Sequence, residues 1–308
     1  MNELVNTLNG LVWSPALIYL CLGVGLYFSL RGRFLQVRHF KEMIRLMFTG
    51  RTDEHGITSF QALTMTLAGR VGTGNIAGVA TAITFGGPGA VFWMWMVAFL
   101  GASSAFVEST LGQVYKEKID GQYRGGPAFY IEKGLGMKWY AWVFAVVTVF
   151  ACGVLLPGVQ ANSIASSVQT ALGVHPNTTA AVLAIILGLI IFGGVKRIAR
   201  FAEFVVPFMA LGYILVACVI VMLNIEKLPE VITLIFKSTF GLDAGFGAIL
   251  GLAIMWGVKR GVYSNEAGQG TGPHASSAAA VSHPAKQGLV QGFSVYIDTL
   301  FVCSATAF

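Results

Sequence analysis

The sequence has little charge and no long polar region of the kind that covers a soluble domain. Charged residues make up 11% of the 308 residues and hydrophobic residues 55%, whereas soluble domains average about 25% charged residues. The mean hydropathy is +0.71. This balance excludes a soluble globular protein and predicts an all-α polytopic membrane protein, because a helix bonds its own backbone in lipid.

Cysteine and histidine are few and scattered. Cys21, Cys152, Cys218 and Cys303 stand singly in apolar runs, which predicts small buried hydrophobic residues rather than disulfides. The five histidines have no metal-ligand spacing, so we predict no structural metal.

Enzyme motifs are also lacking. The glycines at 72–78 have one residue too many for a dinucleotide-binding loop, follow no strand and lack the Lys-Ser/Thr pair of a phosphate loop. No GxSxG elbow of a serine hydrolase occurs. We therefore predict that the protein is not an enzyme and binds no cofactor.

Apolar runs long enough to cross a bilayer as helices dominate the chain. The first is not a cleaved signal, because residues 1–10 contain no Lys or Arg. The eight predicted spans are 11–30, 58–85, 88–113, 139–171, 178–194, 202–224, 244–270 and 288–308.

The basic residues lie between the apolar runs. The loops 31–57, 114–138, 195–201 and 271–287 hold 15 Lys and Arg, against 2 on the opposite side. Such asymmetry orients a membrane protein with its basic loops inside. The formal charge of +6 is therefore a topology signal and not a nucleic-acid surface. The asymmetry of the basic residues predicts a multi-pass plasma-membrane protein with its N-terminus external.

The segment 31–57 alternates apolar with basic residues. This pattern is typical of a helix lying on the cytoplasmic membrane surface. A helix packed beneath the bundle explains it equally well.

The second span is interrupted by GRVGTGN at 69–75. Unpaired backbone groups cost several kcal/mol in hydrocarbon, so irregular chain at membrane depth persists where it lines a cavity or binds a ligand. Gly74 and Gly78 alone would also suit close helix packing. Arg70 and Asn75 favour a binding site, because a packing face needs neither.

The seventh span has a similar interruption, after Trp256, where glycines and polar residues mix. The two broken spans stand five apart, as in transporters built from inverted repeats. Helix N-termini at such breaks bind carboxylates, and unwound carbonyls bind Na⁺.

Six ionisable residues fall within the predicted spans: Arg70, Lys259, Arg260, Glu108, Glu266 and Asp298. Equal numbers of each sign allow a neutral interior if they pair. Such residues mark function or tie helices together. We predict gating or pairing roles for Arg70, Glu266, Lys259 and Asp298, with a structural Lys259 to Asp298 pair favoured.

Three motifs then resemble the alanine/glycine:cation symporter family, also called sodium:alanine symporters. They are GRVGTGNIAGVA at 69–80, YRGGPAFYI at 123–131 and SNEAGQGTGPHA at 264–275. The resemblance implies a leucine-transporter-type fold of one peripheral helix, 11–30, and ten core helices. A first repeat would occupy 58–224, and 244–308 would begin the second within one transporter domain. The last three core helices are expected to be missing from a truncated chain.

The resemblance also implies sodium-coupled symport of a small neutral L- or D-amino acid, alanine or glycine, by alternating access. Another cation-coupled solute transporter, or an ion channel, is the alternative. Carbonyls of Ala68 and Val71 would bind Na⁺, with further ligands from the eighth core helix.

The resemblance places the substrate contacts on three helices. The implied substrate-binding residues are Gly72, Thr73, Gly74, Asn75, Gln160, Tyr263 and Ser264. Three of them have an alternative interpretation: the Thr73 hydroxyl would instead bind Na⁺, Gln160 would bond a neighbouring helix, and Tyr263 would be an interfacial aromatic residue.

Overall fold

The computed structural model describes residues 2–49, 53–240 and 247–308, and these are helical almost throughout. Residues 50–52 of the predicted surface segment and 244–246 of the predicted seventh span lie outside the described residues. The helices are α1 Asn2–Val12, α2 Pro15–Arg31, α3 Leu35–Arg38, α4 Phe40–Phe48, α5 Ser59–Arg70, α6 Val79–Gly86, α7 Gly89–Val114, α8 Pro127–Leu135, α9 Lys138–Phe150, α10 Leu156–Leu172, α11 Pro176–Ile191, α12 Gly194–Leu223, α13 Leu228–Phe240, α14 Gly247–Asn265, α15 Gly272–Ser277, α16 Pro284–Val295 and α17 Ser304–Ala307.

Several of these helices join into longer rods. In the described ranges, five helical stretches are long and apolar enough to cross a membrane: Thr7–Arg31, Gly89–Val114, Lys138–Leu172, Gly194–Leu223 and Pro284–Ala307. The other three predicted spans correspond to the 16-residue α11 and to two helices that are interrupted. The architecture is that of an all-α membrane protein.

The structure differs from the sequence prediction between the spans. The predicted loop 195–201 is helical, because α12 already begins at Gly194. Residues Glu117–Ile119 and Gln122–Arg124 form a two-stranded antiparallel hairpin, and α8 and α13 occupy predicted loops. A search for long apolar runs misses such elements, since they are short.

Helix α7 lies at the centre of the bundle and contacts α2, α13, α14, α15 and α16. Its buried face is rich in small residues, including Ala98, Ala102 and Ala105. Glycines on the partners complete the close approach: a Cβ added at Gly261 would lie 3.3 Å from the Met94 Cα. Small residues allow such backbone contact in membrane bundles.

Gly288→Ala is expected to destabilise the bundle by about 1–3 kcal/mol, because overpacking forces backbone shifts. The added Cβ would collide with the Thr110 hydroxyl and lie 2.8 Å from the Phe106 carbonyl oxygen. Thermal unfolding in detergent measures the loss. Gly212→Ala is the matched control, since nothing lies within 4 Å of that position. Equal melting of the two variants would contradict close α7 to α16 packing.

The stretch Lys138–Leu172, which contains α9 and α10, exposes its apolar side chains. None of the apolar window of Lys138–Leu172 is buried within the protein, and this surface fits contact with lipid. Cys152 in this stretch and Cys218 in α12 are exposed, and Cys21 is partly exposed, which corrects the prediction that all four cysteines are buried. An apolar side chain can face lipid as well as a protein core.

The segment after α2 packs against the bundle, as one of its two predicted arrangements requires, and its position on the membrane surface stays a prediction. Met43 is completely buried against the bundle, and the Phe40 ring packs edge-on at 5.6 Å from Phe293. Ile44 and Phe48 remain exposed. Helix α4 is therefore packed on the bundle by one face, with apolar side chains left on another.

Candidate functional site

The first break follows α5. A capping box between Thr58 and Gln61 begins the helix, and the backbone becomes extended at Val71, with φ −77° and ψ 106°. The chain then re-enters a helix through the π turn Gly74–Gly78 and continues as α6. π turns inside helices are frequent at functional sites.

Side-chain oxygens satisfy the N–H groups released at this break. The Gly72 N–H donates to Asn75 Oδ1 at 2.7 Å, and the Thr73 N–H donates to Gln160 Oε1 at 3.1 Å. Because the Gly72 N–H bonds to the Asn75 side chain, it does not donate to the Ala68 carbonyl, as it would in a continuous α-helix. The break therefore presents N–H groups and carbonyls together.

The second break lies between α14 and α15. Gly268 and Gly270 have φ of 84° and 85°, a region that glycine enters without strain. Glu266 also has a positive φ, 52°, which is uncommon for a side chain of that size. Its Oε2 accepts a hydrogen bond from the Thr271 hydroxyl at 2.6 Å.

The first break contacts the last turn of α14, directly before the second break. A Cβ added at Gly74 would lie 3.3 Å from the Ser264 Cα and 3.4 Å from the Tyr263 ring. Glycine, which has no Cβ, allows this close approach of two backbones. Gly74 of the second predicted span is thereby brought together with Tyr263 and Ser264 of the seventh.

A cluster of polar side chains, the Asp298 cluster, lies behind this contact. It consists of Asn75, Ser264, Asp298, Thr299 and Cys303, all nearly fully buried. The Asn75 amide donates to Asp298 Oδ1 at 2.7 Å and to Ser264 Oγ at 3.1 Å. The Ser264 and Thr299 hydroxyls donate to Asp298 Oδ2 at 2.9 Å and 2.8 Å.

A charged group lies on the other side of the break. Arg70 is only 2% exposed and donates to the Ser294 hydroxyl. Its charge interacts with Glu266, Glu108 and Asp298. A Cβ added at Gly272 would lie 3.2 Å from Arg70 Nη2 and 3.7 Å from Glu108 Oε1, so the two side chains face each other across that glycine.

Lys259 does not pair with Asp298, which corrects the favoured interpretation. Its ammonium lies 5.2 Å from the centre of the Trp13 ring and 5.1 Å from that of Trp256. Arg260 also stacks on Trp256. Both cations are partly exposed, and such aromatic contacts stabilise a cation without a carboxylate. The predicted neutral interior is therefore not formed by these residues.

A cavity of about 550 Å³ opens beside the two breaks. This volume falls in the range of small-molecule sites. The structure does not bring Lys259 to it. The predicted residues that line the cavity are Ala68, Arg70, Val71, Gly74, Gln160, Tyr263 and Glu266.

The sequence prediction missed several polar partners. Glu108 accepts a hydrogen bond from the Gly270 N–H at 3.0 Å, and the Thr306 hydroxyl donates to the Asn75 carbonyl at 2.7 Å. Glu108 carried a signal, since it is an acid within an apolar span. Thr306 carried none, because its partner is 231 residues away.

One end of the bundle ties both broken helices together. Ile57, before α5, exchanges backbone hydrogen bonds of 2.9 Å with Ala278 and Ala280, after α15. Lys116 donates to the Ala279 carbonyl at 2.7 Å. Burial lowers the pKa of Lys116 to about 8, while the charge of Asp53 opposes this shift.

Comparison with known proteins identifies the family to which this chain belongs. A model described as the sodium:alanine symporter family matches residues 1–308. The chain belongs to the sodium:alanine symporter family. This confirms the resemblance drawn from the motifs, and the apolar helices agree with an integral membrane protein.

Three relatives show how names vary within similar proteins. The putative sodium/proton-dependent alanine carrier protein YrbD of Bacillus subtilis is 65% identical over 308 residues, which are 100% of this chain and 64% of the relative. The probable sodium/glutamine symporter GlnT of the same organism is 48% identical, over 100% of this chain and 65% of its own length. The sodium/alanine symporter AgcS of Methanococcus maripaludis is 45% identical, over 99% and 69%. The chain thus spans about two thirds of these relatives' length.

Proposed function

We propose that this member of the sodium:alanine symporter family carries out sodium-coupled symport of small neutral amino acids, with alanine the leading substrate. The observation that carries the proposal is the meeting of two broken helices at one cavity. Transporters bind substrate and ion where discontinuous helices meet. The alanine-carrier name of a relative 65% identical supports the choice of substrate.

The amino-acid carboxylate is proposed to bind the N–H groups of the first break. At present the Gly72 and Thr73 N–H groups bond to side-chain amide oxygens of Asn75 and Gln160. A carboxylate supplies equivalent oxygens with a negative charge, and charge-assisted hydrogen bonds are the stronger kind. Substrate binding then displaces these two side-chain oxygens.

The size of the substrate follows from the walls of the cavity. The Gln160 amide fills the space beside Gly72, where an added Cβ would lie 2.9 Å from both terminal atoms of that amide. A substrate that takes the place of the amide oxygen at the backbone is therefore proposed to be small. This favours alanine, glycine or serine over a large side chain. The sodium/glutamine name of one relative makes glutamine the most informative competitor to test.

Sodium is proposed to bind the carbonyls of Ala68 and Val71. Both residues line the cavity, and the N–H that would bond the Ala68 carbonyl in a continuous helix turns to Asn75 instead. Carbonyl oxygens freed at a broken helix are suitable sodium ligands.

Transport is proposed to proceed by alternating access in the leucine-transporter-type fold. Within the repeats 58–224 and 244–308, Na⁺ would order the broken helices and complete the amino-acid site, and a four-helix bundle would then rock against the scaffold. Arg70 and Glu266 are proposed gating residues, since both line the cavity. The basic loops further favour a plasma-membrane protein with its N-terminus external.

Uptake of labelled alanine into proteoliposomes tests this function. We expect accumulation with an inward Na⁺ gradient, none with an equal K⁺ gradient, and loss of accumulation when an ionophore removes the gradient. Excess unlabelled alanine should compete more effectively than glutamine. Uptake that ignores the Na⁺ gradient would refute sodium coupling, and Na⁺ conductance without alanine accumulation would identify a channel.

Gly74→Val is expected to weaken alanine and Na⁺ binding together. The added side chain meets Ser264 at 3.3 Å, and overpacking of this kind costs about 1–3 kcal/mol, a roughly 5- to 150-fold loss of affinity. Titration calorimetry measures both affinities. Gly212→Val, with nothing within 4 Å, is the control. A change confined to one ligand would contradict a shared break.

A further inference from the structure

A second cavity, of about 500 Å³, lies between α2, α7 and α14, and we call it the α2 slot. Leu20 and Val24 line the slot and are also exposed on the surface of α2. Only 11% of the apolar window of Thr7–Arg31 is buried within the protein, so this surface faces lipid and the slot opens into it. Lipid tails are as apolar as leucine, and the slot therefore suits a hydrocarbon chain.

The α2 slot is elongated along the helices that form it. Its lining covers positions 17–24 of α2 and 97–104 of α7, about 10 Å of each helix. The two helices run in the same direction, because Ile18 packs in one cluster with Val97 and the Ser29 hydroxyl donates to the Ser103 hydroxyl at 3.1 Å. A narrow apolar space parallel to membrane-spanning helices has the shape of an acyl chain.

The end of the α2 slot beside Trp13 is positively charged. Trp13 lines the slot, and the Lys259 ammonium lies 5.2 Å from the centre of its ring. Lys259 precedes the lining residues Val262 and Tyr263 by three and four positions, which places it on the same face of α14, one turn before them. The salt bridges of the described residues include neither Lys259 nor Arg260. A negative group would complement this end of the slot.

We infer that the α2 slot binds an anionic phospholipid, with one acyl chain between α2 and α7 and the phosphate beside Lys259 and Arg260. Ammonium and guanidinium groups donate charge-assisted hydrogen bonds to phosphate oxygens. Tryptophan is enriched where the apolar and polar layers of a membrane meet, as Trp13 is placed here. A zwitterionic lipid carries its own cation beside the phosphate, so it gains less from this end of the slot.

The α2 slot also reaches the second break. Tyr263 lines both the slot and the cavity of about 550 Å³ beside the breaks. Gly268, which has a φ of 84°, lines the slot as well. A lipid chain therefore packs behind a residue predicted to bind substrate and stabilises the break beside it. This effect on the amino acid rests on the proposed symport, whereas lipid binding does not.

Native mass spectrometry of the purified protein, with phosphatidylglycerol or phosphatidylcholine added, tests the headgroup contact. Wild type should retain phosphatidylglycerol in preference, and Lys259→Gln should retain about fivefold less of it, the effect of one basic residue on an anionic lipid. Lys237→Gln, at an exposed lysine of α13, is the control. Equal retention of the two lipids by wild type, or of phosphatidylglycerol by wild type and Lys259→Gln, would overturn the site.

Photo-cross-linking tests the position of the acyl chain. Phosphatidylglycerol with a diazirine on its chain should label positions 17–24 or 97–104 in wild type. Cys21→Phe should lose this labelling, because Cys21 lines the slot and the ring takes the space of the chain. Cys218→Phe, at an exposed cysteine of α12, should keep it. Labelling confined to other helices in wild type would overturn the site, even if Cys21→Phe does not fold.

Alanine affinity in nanodiscs of each lipid tests the link through Tyr263. Alanine should bind wild type about fivefold more tightly or better in phosphatidylglycerol, and Lys259→Gln should lose this difference. Equal affinities in the two lipids would overturn the link and leave the lipid site standing. Absence of alanine binding in both lipids would refute the proposed symport instead, since retention of the lipid is measured without alanine.

Discussion

Asn75→Leu is expected to abolish alanine uptake while leaving insertion into the membrane intact. The leucine removes the acceptor of the Gly72 N–H and a donor to Asp298, and it adds apolar surface where an amide lies. Each buried polar group left without a partner costs about 1–3 kcal/mol. Uptake of labelled alanine into proteoliposomes, normalised to inserted protein, gives the result.

Asn224→Leu is the control for this change. Asn224 is exposed at the end of α12 and bonds the Ile220 carbonyl on its own helix. Its uptake should match that of wild type. Normal uptake by the Asn75 variant would show that Asn75 lies outside the transport site.

Removal of the Arg70 charge is expected to have a comparably large effect. Arg70→Met leaves Glu108, Glu266 and Asp298 buried without their only buried base in the described chain. Breaking a direct buried ion pair costs about 3–5 kcal/mol. Arg70 makes no direct salt bridge within the described chain, so we expect a smaller loss of thermal stability, on the order of 1–3 kcal/mol, together with a fall in uptake. Arg70→Lys keeps the charge and should recover part of the stability.

An exposed arginine supplies the comparison. Arg45 pairs with Glu42 at 2.7 Å, but its side chain is 69% exposed, and exposed pairs contribute only about 0–1 kcal/mol. Arg45→Met should therefore melt close to wild type. If Arg70→Met also melts like wild type, the buried acids are not held as anions by Arg70.

The breaks in the two helices were predictable because they are local. Gly72 and Gly74 near Arg70 and Asn75, within an apolar run, are incompatible with an uninterrupted lipid-facing helix whatever the rest of the chain does. The same reasoning located Gly268 and Gly270, which take positive φ. The partners of those residues were less accessible, since Asn75 and Asp298 are 223 residues apart.

The membrane class, the helical spans, the two breaks and the family could be read from the amino-acid sequence, because each follows from hydropathy, backbone chemistry or a continuous motif. Which charges meet became clear from the packing of the helices. It separated Lys259, on its tryptophans, from Asp298 and placed Glu108 beside Arg70. The reason is physical: pairing of buried charges depends on the rotation and depth of packed helices, and spacing along one chain specifies neither.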